Sequence, residues 1–128
     1  MWLLLSEVDV VGLHDSVLNP GELTGLAADK SVASAMARVE WQLQYGSIQD
    51  EYDLAAWYTL VIAQAHVFND GNKRTAFASL DMFLVINGIV LKWNEVAIGD
   101  QIIELAQGKL AAAEFAEWLR TLCQSETS

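Results

Sequence analysis

Apolar residues recur through most of the chain three and four positions apart, the interval at which one face of a helix repeats. Val32, Ala35, Met36, Val39 and Leu43 form one such face, ended by Gly46. Phe115, Trp118, Leu119 and Leu122 form another, in a last helix at about 111–123. Ser6-Glu7-Val8-Asp9 has the hydroxyl and acid of a capping box and predicts a first helix near 7–18, stopped by Pro20-Gly21. After a loop at Gly25 to Asp29 and the second helix, Asp50-Glu51-Tyr52-Asp53 gives another acid-rich start. The stretch from there to about Val67 is apolar almost all round, as a buried central helix would be. Phe68-Asn69-Asp70-Gly71-Asn72 breaks the period with turn residues, and a new helix is predicted from about Asn72 to Asn87, before Gly88. Ile89-Val90-Leu91 is a short extended link, and Asn94 caps a helix to about Gln107, with Gly108 at its end. The expected fold is all-α, a compact single-domain bundle of about six helices.

Composition narrows this picture. With 128 residues, 53% of them hydrophobic, the chain is long enough for one core and too short for two. The apolar opening Met1-Trp2-Leu3-Leu4-Leu5 lacks a basic leader and runs at once into Glu7 and Asp9, so it is expected to be a buried N-terminal segment rather than a signal peptide. No run reaches the length of a membrane span. Trp41, Trp57 and Trp118 fall within helical patterns and are expected in the core or an interface. The lone Cys123 has neither a disulfide partner nor a metal-ligand set, which fits a reducing cytoplasm. Residues 125–128 are polar and are expected to form a disordered tail. A net charge of −10, from 17 acidic and 7 basic residues, argues against a nucleic-acid or anionic-membrane surface and for a protein partner carrying basic residues.

One segment stands apart from this acidic background. His66-Val67-Phe68-Asn69-Asp70-Gly71-Asn72-Lys73-Arg74 gathers a titratable base, a carboxylate, a glycine, an amide and two cations just where a helix begins. Unbonded N–H groups at Gly71 to Lys73, with the positive end of the helix dipole, suit a phosphate. Gly71 permits close approach, Lys73 supplies a point charge and Arg74 a planar fork. Asp70 is placed to hold Mg²⁺ beside phosphate oxygens, and His66 to take a proton from an incoming hydroxyl. Simpler roles stand beside these: Asp70 as a helix cap, and Lys73 and Arg74 as a solvated turn, although cations there oppose the dipole unless an anion is present. His14 and Asp15 are adjacent on a helix and are assigned surface or packing roles. No Gly-x-x-x-x-Gly-Lys-Ser/Thr loop or Gly-x-Gly-x-x-Gly turn occurs, so nucleotide binding rests on this one helix start.

The spacing resembles the Fic/Doc signature, His-x-Phe-x-Asp/Glu-Gly/Ala-Asn-x-Arg, with His66, Phe68, Asp70, Gly71, Asn72 and Arg74 on its positions. Leu13-His14-Asp15 and Ala37-Arg38-Val39 are similar to the Doc (death-on-curing) branch, and the likeness implies one Fic/Doc-like domain over residues 1–124. The resemblance implies that His66 is the general base, Asp70 the Mg²⁺ ligand, Gly71 and Asn72 an anion hole, Arg74 a phosphate holder and Phe68 a core anchor. Lys73 stands where adenylylating members have a second glycine and Doc toxins have lysine. That implies an inverted ATP and a cytoplasmic, translation-inhibiting kinase toxin that moves the γ-phosphoryl group to a Ser or Thr hydroxyl, on elongation factor Tu. Gly71 is also the residue that adenylylating members have, and two alternatives remain: AMP transfer by a Fic-type adenylyltransferase, and a non-enzymatic docking module. The inhibitory motif of some relatives, Ser/Thr-x-x-x-Glu-Gly/Asn, is approached at Ser47 to Glu51 but fails at Tyr52. Inhibition in trans by a Phd-like antitoxin is therefore implied.

Overall fold

A free amide in the first turn of a helix needs an acceptor, and a short polar side chain just ahead supplies one. Ser6 accepts from the Asp9 amide at 3.1 Å while the Asp9 carboxylate accepts from the Ser6 amide at 2.8 Å, which opens α1 (Glu7–Val17). Ser31 opens α2 (Val32–Tyr45) and Asp50 opens α3 (Glu51–Ala65) in the same way. The next helix, α4 (Asn72–Ile86), differs: its N-cap is Gly71, which has no side chain to offer. Asn94 caps α5 (Glu95–Ala106), and α6 (Ala112–Thr127) completes the chain. The protein is seen in a computed structural model that describes residues 2–28 and 30–127. Met1, Asp29 and Ser128, which belong to the expected N-terminal segment, loop and tail, lie outside the described residues. Helix α6 runs on through Thr127, past the end near 123 that its apolar face predicts.

The all-α, six-helix architecture is the one the hydrophobic pattern predicts. Among the described residues there are no strands, only one antiparallel bridge between Leu26 and Phe68. Helix α3 is the centre of the bundle, in contact with α2, α4, α5 and α6. Its Leu54, Ala55, Ala56 and Val61 are fully buried, and the alanines let neighbouring helices approach closely. Phe83 of α4, Leu105 of α5 and Phe115 and Leu119 of α6 fill the space around it. Helix α1 lies across α2 and α4, which brings its C-terminal end to the start of α4.

Two expectations about packing change. Leu3 and Leu4 are exposed, so the N-terminal segment is buried only at Leu5 and half-buried at Trp2. Its anchorage is through the backbone. The Leu3 amide and carbonyl both bond the Asn87 side chain at 2.9 Å, and the Leu5 amide donates to the Tyr58 hydroxyl at 3.1 Å. Burial pushes the Tyr58 hydroxyl above its ordinary pKa, which keeps that donor and acceptor neutral. Trp41 is 57% exposed rather than core, because Val32, Ala35, Met36 and Val39 define the inner face of α2 and Trp41 falls on the other side.

An ion cluster joins the last helix to the central one. Arg120 of α6 donates to Asp50 at 2.9 and 3.0 Å, to Asp53 at 2.8 Å and to Glu117 at 2.9 Å. Burial pushes the Asp50 carboxyl up, but the Arg120 fork and the Asp53 amide together hold it below its usual range.

Truncating Phe83 to Ala removes a ring buried beside Tyr58, whose centroid is 5.2 Å away, and is expected to cost about 3–5 kcal/mol in chemical denaturation. Because the folded Asp50 carboxyl titrates low, its contribution is complete above the unfolded value of about 4 and is lost as pH falls through the lower folded value. Thermal unfolding below about pH 4 should therefore be less pH-dependent in Arg120→Met than in the wild type.

Candidate active site

Helix α3 stops at Ala65 because His66 takes the left-handed conformation, φ 49° and ψ 42°, that terminates a helix. Among the described residues it is the one non-glycine residue with positive φ, a placement that costs about 1 kcal/mol relative to glycine. The turn leaves the imidazole exposed, between buried Ala63 and buried Val67 and Phe68. No hydrogen bond to another described residue holds that ring.

The loop that follows is built on Phe68. Its ring is buried, and its amide and carbonyl are both bonded by the side chain of Asn72, at 3.1 and 2.9 Å. The Asn72 side chain therefore shapes the loop instead of facing an anion, and what it offers a ligand is its backbone N–H. Asn69 ties the loop to the connection between α1 and α2: its side chain donates to the Thr24 and Leu26 carbonyls and its amide to that of Gly25. Asp70 does not cap α4, since its carboxylate accepts from the Leu23 amide at 2.8 Å. Its carbonyl accepts from His14 Nε2 at 2.7 Å.

Gly71 then turns with φ 80°, and a Cβ there would lie 3.3 Å from Leu18 Cδ2, so both backbone and space favour glycine. The first backbone bond of α4 is Thr75 N–H to the Gly71 carbonyl at 2.9 Å. The amides of Asn72, Lys73 and Arg74 precede it and receive no side-chain cap from Gly71. Arg74 folds back over this opening, with one guanidinium nitrogen 3.7 Å from the position a Gly71 Cβ would take. It donates to the Val17 carbonyl at 3.3 Å and pairs with Glu22. The Arg74 bond holds the Glu22 carboxyl below its usual range, and the same bond raises the Arg74 pKa. Lys73 is exposed and, with Arg74, lines a trough of about 780 Å³ together with Leu13, Val17, Phe77, Ile98 and Ile102.

The predicted site residues follow one another along one loop, with His66 at the end of α3, Asp70 and Gly71 in the turn, and Asn72, Lys73 and Arg74 at the start of α4, where the Arg74 guanidinium is brought over Gly71. Two residues were missed. Glu22 is separated from Arg74 by 52 positions, and no local pattern marks it. For His14 the sequence offered a surface or packing role; the structure buries it, and the packing is against the loop, which the sequence did not indicate. Its ring stacks on Phe68 with centroids 3.7 Å apart, and Nδ1 lies 3.2 Å from the Asp15 carboxylate, so the adjacent pair does meet.

One Asp70 carboxylate oxygen accepts from Leu23, and Asp70 directly precedes the uncapped N-cap Gly71 in the chain. Among the described residues no group of three His, Cys, Asp or Glu could hold a metal. That donor set suits an ion that takes one carboxylate and fills its other positions from phosphate and water. Uncapped amides at the start of α4 with a guanidinium above them are an arrangement suited to an anion.

The Fic/DOC family model matches residues 4–84, which contain α1, α2, α3 and nearly all of α4. The protein kinase doc of Escherichia phage P1 is 30% identical over 119 residues, which cover 92% of this chain and 94% of the phage protein. A likeness that runs almost end to end in both chains, and includes the elements on either side of the loop, means that the chain belongs to the Fic/Doc family.

Proposed function

We propose that the protein is a Doc-like toxin, an ATP-dependent protein kinase that moves the γ-phosphoryl group to a Ser or Thr hydroxyl of a target protein. Elongation factor Tu is the target that the family likeness favours, with inhibition of translation as the result and the cytoplasm as the place. The observation that carries this reading is the uncapped helix start at Gly71-Asn72-Lys73 under the Arg74 guanidinium, on the same loop that leaves His66 exposed at the end of α3. An imidazole nitrogen of His66 would take the hydroxyl proton as the acceptor oxygen bonds to the γ-phosphorus and the bond to the bridging oxygen breaks, releasing ADP. The α4 amides and Arg74 would hold phosphate oxygens, and Lys73 would add charge at the mouth. Mg²⁺ bound through Asp70 would supply neutralisation of the phosphate charge.

Glu22 occupies the guanidinium that phosphate would use, so nucleotide must displace it. The apolar trough beside Arg74 suits the helix of a partner protein, which supports silencing in trans by a Phd-like antitoxin laid across the mouth of the site. No described helix is long and apolar enough to cross a membrane.

Incubation with ATP and elongation factor Tu is expected to transfer label from the γ position and not from the α position. Label from the α position would instead establish adenylylation, and no transfer from either would leave a docking role. His66→Ala should lower transfer by a factor of about 10² or more with an unchanged melting profile, since its ring makes no bond in the fold. Glu22→Ala should lower the Kd for ATP and Arg74→Ala should raise it, both measurable by calorimetry.

A further inference from the structure

His14 is the one imidazole sealed in the protein, 1% exposed, and it belongs to α1 rather than to the loop it touches. Three contacts fix its ring. Its face lies on Phe68, with an angle of 7° between the planes; its Nδ1 meets Asp15; and its Nε2 is 2.7 Å from the Asp70 carbonyl oxygen. A carbonyl only accepts, so Nε2 carries the proton and donates.

The consequence lies in the peptide bond. Asp70 C=O and Gly71 N–H belong to one planar, trans unit, in which oxygen and hydrogen point in opposite directions. A buried ring that draws the carbonyl inward turns the Gly71 N–H away from the core. Gly71 needs such a hold, because a glycine with φ 80° could rotate that plane more freely than any other residue in the loop. The ring also passes close to the turn itself, with His14 Cδ2 3.7 Å from where a Gly71 Cβ would stand.

We propose that His14 is a positioning residue of the phosphate site: its buried imidazole holds the Asp70 carbonyl inward, and so directs the Gly71 N–H, and with it the start of α4, toward the bound phosphate. This rests on the reading of the α4 start as a phosphate site, and it adds a residue to which the family motif assigns no role.

Two substitutions separate the hydrogen bond from the packing. His14→Phe keeps the stack on Phe68 and loses the donor. His14→Gln keeps an N–H near the Nε2 position and loses the stack. On stability alone His14→Phe should melt higher than His14→Gln, since a ring on a ring buries better than an amide. For binding the order should reverse. In calorimetry on the full chain with inorganic pyrophosphate as the probe, His14→Phe should bind about tenfold more weakly than wild type, and His14→Gln within about threefold of it. The rate of γ-label transfer at saturating ATP should follow the binding order and not the melting order.

Wild-type affinity in His14→Phe would overturn the proposal, as would losses that follow melting temperature in both variants. Failure of the wild type to bind pyrophosphate would overturn it too. If the binding order is as stated but the wild type transfers no label, the positioning role stands and the kinase reading falls.

Discussion

A helix whose N-cap is glycine leaves its first-turn amides to be satisfied by something other than its own sequence, and in α4 that condition governs how the neighbouring elements are laid out. Serine, aspartate or asparagine closes the starts of α1, α2, α3 and α5. At α4 the same electrostatic demand is left facing outward, with two cations on the first turn adding to it rather than relieving it. The elements around this opening serve to keep it in shape. Phe68 is clamped by the Asn72 amide from within the loop, Asn69 binds the connection between α1 and α2, and Asp70 is held from two sides, by Leu23 at its carboxylate and by His14 at its carbonyl.

Charge is distributed to the same end. The chain is strongly acidic, yet Lys73 and Arg74 lie side by side at the opening. Arg74 finds its counter-charge in Glu22, so its guanidinium is paired within the chain. The acid cluster at the start of α3 has a different purpose: Asp50 and Asp53 sit where the helix dipole favours them and bind Arg120 of the last helix, which fastens α6 to the core. One arginine is thus bound between two helices, and the other pairs with the connection that follows α1.

How much of this was legible depended on distance along the chain. Caps such as Ser6 with Asp9, or Asn94, act within three residues and could be read directly. So could the buried α3, apolar all round, and the dense loop from His66 to Arg74. The grip of Asn72 on Phe68 also spans only four positions, and an amide at that spacing across a polar turn was a readable sign. Glu22 was not legible, and of His14 a packing role could be read but not its bond to the loop, because each meets its partner across more than fifty positions. The exposure of Leu3 and Leu4 escaped notice for another reason. Hydropathy reports side chains, and this segment is held by its backbone bonds to Asn87 and Tyr58.

The left-handed turn at the end of α3 carries one more implication. A helix stop of this shape selects glycine whenever firmness is all that matters, and histidine at position 66 gives up part of that firmness. The imidazole is therefore carried at a cost to the turn, a cost that an exchange for glycine would remove.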